Sequence, residues 1–188
     1  MKFLIAGLGN FGGEYQNTRH NIGFTILDAL SGLSNIDFQD KRYGFRGEYK
    51  YKGRTFVLLK PTTYVNLSGK AVNYWLQKEK IAVEKLLVLV DDFSLPFGSL
   101  RLRSRGGDAG HNGLNNISTI LGHNNYARLR FGIGNEFGKG AQVNYVLGKW
   151  TNEEEKQLTG LVNKSVEIIR SFGTIGIKRT MNLYNRKK

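Results

Sequence analysis

Leu86-Leu87-Val88-Leu89-Val90 is an unbroken apolar run that ends abruptly in Asp91-Asp92. Five apolar residues in succession leave no side of an extended chain for water, so the segment reads as a strand covered on both faces. A second apolar run, residues 2–7, opens the chain and leads into a glycine-rich loop. Strands of this kind belong to α/β folds, where helices cover both sides of a largely parallel sheet.

The remaining pattern supplies those helices. Residues 21–30 place Ile22, Ile26, Leu27 and Leu30 at helical spacing, with Gly32 to close the helix. Residues 47–51 and 55–60 flank Lys52-Gly53-Arg54 as a hairpin, and Pro61 stops the second strand. Residues 68–78 carry Ala71, Val72, Trp75 and Leu76 on one helical face, and residues 112–121 form a helix with Gly122 beyond its end. Residues 100–103, 128–133 and 143–147 are strand candidates. Thr151-Asn152-Glu153-Glu154 has capping-box spacing and opens a long helix reaching to residue 170, and the tail from Ile177 forms a short one. The expectation is one α/β domain over residues 1–188: a mixed, mostly parallel twisted sheet with helices on both faces. Ligands of such sheets gather beyond the carboxyl ends of the strands. Asn10, residues 61–66 and Asp91 all fall there.

Composition narrows the function. With 28 Lys and Arg against 15 Asp and Glu, the net charge of +13 favours a polyanionic partner, nucleic acid or an anionic membrane surface. No apolar run approaches the roughly 20 residues that span a bilayer, and the Arg186-Lys187-Lys188 tail is too short for an anchor. The opening MKFLIAGLGN lacks a small-residue cleavage site and reads as a buried strand, not a signal peptide. The absence of cysteine excludes disulfides, thiolate nucleophiles and Cys-based metal sites, and suits a reducing cytosol.

Gly7, Gly9 and Gly12 match GxGxxG, yet the polar stretch that follows has no helical periodicity, so a dinucleotide site lacks its structural context. His123 sits among asparagines past a helix and reads as an exposed loop residue. His20 and His111 each precede an asparagine and a predicted helix, in glycine-containing loops. Metal binding through them with Asp91 or Asp92 is disfavoured, because the i, i+4 histidine pair of common zinc helices is absent. Adjacent aspartates on a strand point opposite ways, so a single carboxylate faces any one cleft. A histidine held by such a carboxylate can take a proton from water at neutral pH. No serine occupies a GxSxG elbow, which leaves water as the nucleophile. Asn10, Asn66 and Asn112 occupy loops where amides either form turns and caps or donate to a developing oxyanion.

In order along the chain, GLGNFGGEYQNTRHNIG (7–23), KPTTYVNLSGKAV (60–72), LVDDFSLPFG (89–98), GGDAGHNGL (106–114), RLRFGIG (128–134) and VLGKW (146–150) resemble the bacterial-type peptidyl-tRNA hydrolases over nearly the whole length. The resemblance implies hydrolysis of the ester between peptide and tRNA, with His20 as base, Asp91 orienting it, and Asn10 and Asn112 positioning the reacting carbonyl. It further implies substrate contacts by Tyr15, Tyr64, Asn66 and His111, with Arg103 and Arg130 clamping the tRNA 5′-phosphate. A monomeric, cytosolic chain needing no metal or organic cofactor is implied as well. Phe11 and Val65 depart from the proline and methionine common at those positions. A non-catalytic RNA-binding relative would tolerate loss of His20 or Asp91, and both are present.

Overall fold

Strand β1 (Lys2–Gly7) lies near the middle of a seven-stranded sheet, completed by β2 (Gln39–Lys41), β3 (Gly44–Tyr51), β4 (Arg54–Pro61), β5 (Leu86–Asp92), β6 (Leu100–Arg103) and β7 (Ala127–Gly132). The order is β2-β3-β4-β1-β5-β7-β6. Strands β4, β1, β5 and β7 pair in parallel, while β2–β3, β3–β4 and β6–β7 pair antiparallel and form the edges. This computed structural model describes residues 1–185, and the basic tail Arg186-Lys187-Lys188 lies outside the described residues. The helices are α1 (Ile22–Ser34), α2 (Ser68–Lys78), α3 (Asn112–Leu121), α4 (Gln142–Val146), α5 (Asn152–Ile175) and α6 (Ile177–Tyr184).

Alternation along the inner strands builds two cores. Phe3 and Ile5 of β1, with Leu87 and Leu89 of β5, face α1 and α5, where Ile22, Ile26, Val166 and Ile169 cover them. Leu4 and Ala6, with Leu86, Val88 and Val90, point the other way onto Val72, Trp75, Leu114 and Ile117 of α2 and α3. Each fully buried large aliphatic side chain contributes about 1.5–3 kcal/mol, so neither face can be exposed without loss of the fold. Among the described residues, no helix is long and apolar enough to cross a membrane.

Five points differ from the expectation. Residues 143–147 are not a strand; Gln142–Val146 is the short helix α4. Strand β7 already has β5 and β6 on its two sides, so these residues do not extend the sheet beside it. Tyr145 and Val146 instead pack on the α1/α5 core while Val143 stays exposed. Helix α1 passes Gly32 and ends where Asn35 adopts φ 49°, a left-handed conformation that asparagine tolerates. The hairpin turn is shorter than Lys52-Gly53-Arg54: Lys52 (φ 45°) and Gly53 (φ 71°) make the turn, and Arg54 pairs with Tyr51. Strand β2 is new, because its three exposed polar residues carry no apolar alternation to reveal it. The capping box is present, with Thr151 and Glu154 exchanging side-chain and backbone hydrogen bonds, and α5 continues past 170 to Ile175.

The chain leaves β1, builds the sheet on its β4 side, then crosses to β5 on the other. That reversal opens a crevice at the carboxyl ends of β1 and β5.

Candidate active site

The loop after β1 enters the crevice because its glycines permit close approach. A Cβ on Gly7 would lie 2.3 Å from the Gly23 carbonyl, and one on Gly9 would lie 2.9 Å from Asn21 Oδ1. Gly7 and Gly9 therefore serve packing against the start of α1, while Gly12 (φ 128°) shapes the turn that follows. Asn21 then fixes the next residue. Its Oδ1 accepts from the Asn10 backbone N–H at 2.8 Å, and its Nδ2 donates to the Asn10 carbonyl at 2.9 Å. The Asn10 side-chain Oδ1 accepts from the Val65 N–H at 3.2 Å. That bond orients the amide, so its Nδ2 is left as a donor.

His20 sits in a 3-10 turn (Arg19–Asn21) pinned at several points. Thr18 bridges to Lys149, and the Arg19 N–H donates to the Gly148 carbonyl at 3.0 Å. The buried Arg19 guanidinium lies over the Tyr145 ring and donates to Glu154 Oε2 at 2.8 Å. His111 is the N-cap of α3, its Nδ1 accepting from the N–H groups of Gly113 (3.1 Å) and Leu114 (3.4 Å). With that lone pair in use, the ring proton resides on Nε2.

Asp91, at the carboxyl end of β5, joins the two. Its Oδ1 is 2.9 Å from His20 Nδ1 and 3.1 Å from His111 Nε2. An ionised carboxylate only accepts, so both ring nitrogens donate to it. His20 is thereby held as the Nδ1–H tautomer with its Nε2 lone pair free. Burial alone would push the Asp91 carboxyl up, but the adjacent His20 and His111 outweigh it and hold Asp91 well below the usual carboxylate range. Burial likewise disfavours charge on His20, and the field and hydrogen bond of Asp91 overcome it, raising the pKa above the ordinary 6.5. Asp92 points elsewhere, to Ser94 and to Arg130 Nη1 at 3.1 Å. The two side chains diverge as adjacent strand residues do, although Asp92 also borders the same cleft as Asp91.

These groups floor a cleft of about 370 Å³. Asn10, His20, Asp91, His111, Asn112, Asn66 and Tyr64 all line it, and Phe93 with Val143, Val146 and Leu147 gives it an apolar side. Asn66, Asn112 and Tyr64 are exposed at the rim. Tyr15 is not among the lining residues; it lies half-buried in the preceding turn, its carbonyl accepting from Thr18 Oγ1. Arg103 is half-buried at the far end of β6, paired in register with Arg128. Arg130 is only 8% exposed and gives its guanidinium to Asp92 and to the Gly107 carbonyl, which places it inside the loop before α3 and not on the surface. His123 is exposed, as expected. Val65 contributes its backbone N–H, so the change from methionine keeps the contact to Asn10.

Residues missed from the sequence include Asn21, the α4 wall and the Arg19–Glu154 pair. Asn21 stood in plain view beside His20, and the only available signal was its adjacency. Nothing local announced the other two, since they join segments more than a hundred residues apart.

His20, Asp91 and His111 also form the cluster whose potential metal-ligand atoms lie within 4.8 Å of one another. They do not suit a metal. His111 could offer Nε2 only by moving its proton to Nδ1, where it would face the N–H groups of Gly113 and Leu114.

Fold and site define an α/β protein with a carboxylate-held histidine at the sheet's switch point. The peptidyl-tRNA hydrolase family profile matches residues 4–188. A peptidyl-tRNA hydrolase of Phocaeicola vulgatus is 57% identical over 187 residues, covering 100% of both chains. Another, from Cytophaga hutchinsonii, is 52% identical over 188 residues with the same coverage. The crystal structure of peptidyl-tRNA hydrolase from Acinetobacter baumannii is 34% identical and matches with a TM-score of 0.92, covering 99% of this chain and 95% of that one. The chain belongs to the peptidyl-tRNA hydrolase family.

Proposed function

We propose that this chain hydrolyses the ester joining a peptide to the 3′-terminal ribose of tRNA, with His20 activating the attacking water. The observation that supports the mechanism is the Asp91 oxygen shared by His20 Nδ1 and His111 Nε2, which leaves His20 Nε2 as a free base. Nε2 takes a proton from water as its oxygen adds to the ester carbonyl, and Asp91 stabilises the resulting imidazolium. The Nδ2 groups of Asn10 and Asn112 donate to the tetrahedral oxyanion. Collapse expels the ribose oxygen, which takes the proton back from His20, so no covalent enzyme intermediate forms. The carboxyl product and free tRNA leave.

Asn66 and Tyr64 at the rim contact the substrate, with the Val143–Leu147 side facing the acyl chain. His111 acts through Asp91 and the α3 cap, and Tyr15 acts through the turn that carries His20. Arg103 is the better candidate for a tRNA phosphate, since Arg130 is spent on Asp92 and Gly107. The +13 charge supports a polyanionic substrate. The reading is of a monomer working in the cytosol without metal. Purified chain given peptidyl-tRNA in excess chelator should release peptide and intact tRNA. Binding without release would make it an RNA-binding relative, and activity lost to chelator but restored by a divalent ion would overturn the metal-free mechanism.

A further inference from the structure

Asn10 is a wall between two cavities. On one side lies the cleft of His20; on the other lies a cavity of about 530 Å³ bounded by Phe11, Gln16, Asn17, Asp28, Phe45 and Lys60. The second cavity has no part in the proposed chemistry. Its most unusual feature is Phe11, a large ring that is 57% exposed immediately beside Asn10. Phe11 leans on Phe45 with ring centroids 5.7 Å apart, so the pair roofs the cavity with an aromatic surface. Below it, the Lys60 ammonium pairs with Asp28 and lies 4.2 Å from the Phe38 ring centroid. The exposed amides of Gln16 and Asn17 complete the rim.

We infer that this second cavity receives the terminal nucleobase of the tRNA substrate, stacked on Phe11. The inference rests on the proposed reaction. An ester has two sides, and a carbonyl held at Asn10 sends one into each cavity. The cleft walled by Val143, Val146 and Leu147 is apolar and suits the acyl side. The second cavity combines an aromatic face with both donors and acceptors, which is how unpaired bases are read. Adenine, the base that ends tRNA, presents an amino donor and ring-nitrogen acceptors to match Asp28 and the amides. Among the described residues a phosphate finds no free cation there, because Lys60 is already paired with Asp28.

The test is a cycle between Phe11 and the terminal base. Peptidyl-tRNA with an ordinary 3′ adenosine and one whose terminal residue is abasic are compared on wild type, Phe11→Ala and Phe11→Trp. Stacking by one aromatic residue predicts about a tenfold rise in KM for Phe11→Ala on the normal substrate, with kcat held. Phe11→Trp should restore KM. On the abasic substrate wild type and Phe11→Ala should be equal, because the ring has lost its partner. Independent, multiplying losses would overturn the inference, as would a Phe11→Ala effect that varies with the acyl residue and ignores the base. Absence of any turnover by wild type on the normal substrate would instead strike the proposed reaction.

Discussion

The floor and the rim of the cleft are built on different terms. On the floor, His20, Asp91, His111 and Asn10 are tied by hydrogen bonds to one another or to backbone, and Asp91 is 3% exposed. At the rim, Asn66 and Asn112 are exposed and Tyr64 is 71% exposed. Groups that must hold a proton in one tautomer are locked before substrate arrives. In the proposed reaction the exposed rim groups are the ones that meet substrates of varied side chain and length. On that reading, preorganisation is concentrated where charge changes.

The sharpest break of this contrast is His20→Ala, expected to lower single-turnover cleavage by about 10²–10⁴-fold, the usual worth of a general base. Near-normal cleavage would remove His20 from its role. Asn112 comes next, since it sits on the rim yet is assigned a floor residue's task. Asn112→Ala should cost about 3 kcal/mol of barrier, read in kcat, whereas Asn66→Ala should raise KM. Were Asn112→Ala to change KM alone, it would join Asn66 as a binding group.

Asp91→Asn should lower the plateau rate by about 10–100-fold, the loss of a hydrogen bond to a charged partner. It should also move the pH profile. The raised His20 pKa means the neutral base forms as pH rises and the rate falls as pH drops through a value above 6.5. Without the carboxylate, burial acts unopposed and the acid limb should shift to lower pH. A limb that stays in place would mean that another group sets it. The same His20–Asp91 pairing adds stability that is complete below pH 6.5 and lost as pH climbs through the raised value. Smallest is Arg103→Ala, expected to flatten the log–log salt dependence of tRNA binding by about one unit. An unchanged slope would return Arg103 to a purely structural role.

Much of this was legible because local signals were strong. The pentamer at 86–90 fixed β5, and the acid that ends it is the one that holds His20. Elements went astray where local preference was weak. Residues 143–147 carry Val143, Tyr145 and Val146, a composition that suits a strand, and became a helix that packs Tyr145 and Val146 on the core while Val143 stays exposed. The partners of Arg130 were likewise invisible, because a charged residue in sequence carries no record of them, and Asp92 bonds it from the neighbouring strand.

The amino-acid order alone determined which segments are buried, where polar residues interrupt them, and that His20, Asp91 and several amides stand at those interruptions. Periodicity and turn chemistry are local, so they survive in one dimension. Only the tertiary structure decided that two histidines share one carboxylate oxygen, which tautomer each must adopt, and that Asn10 divides two cavities. Hydrogen-bond direction and distance are relations between residues far apart in the chain, and they exist only once the sheet brings those residues together.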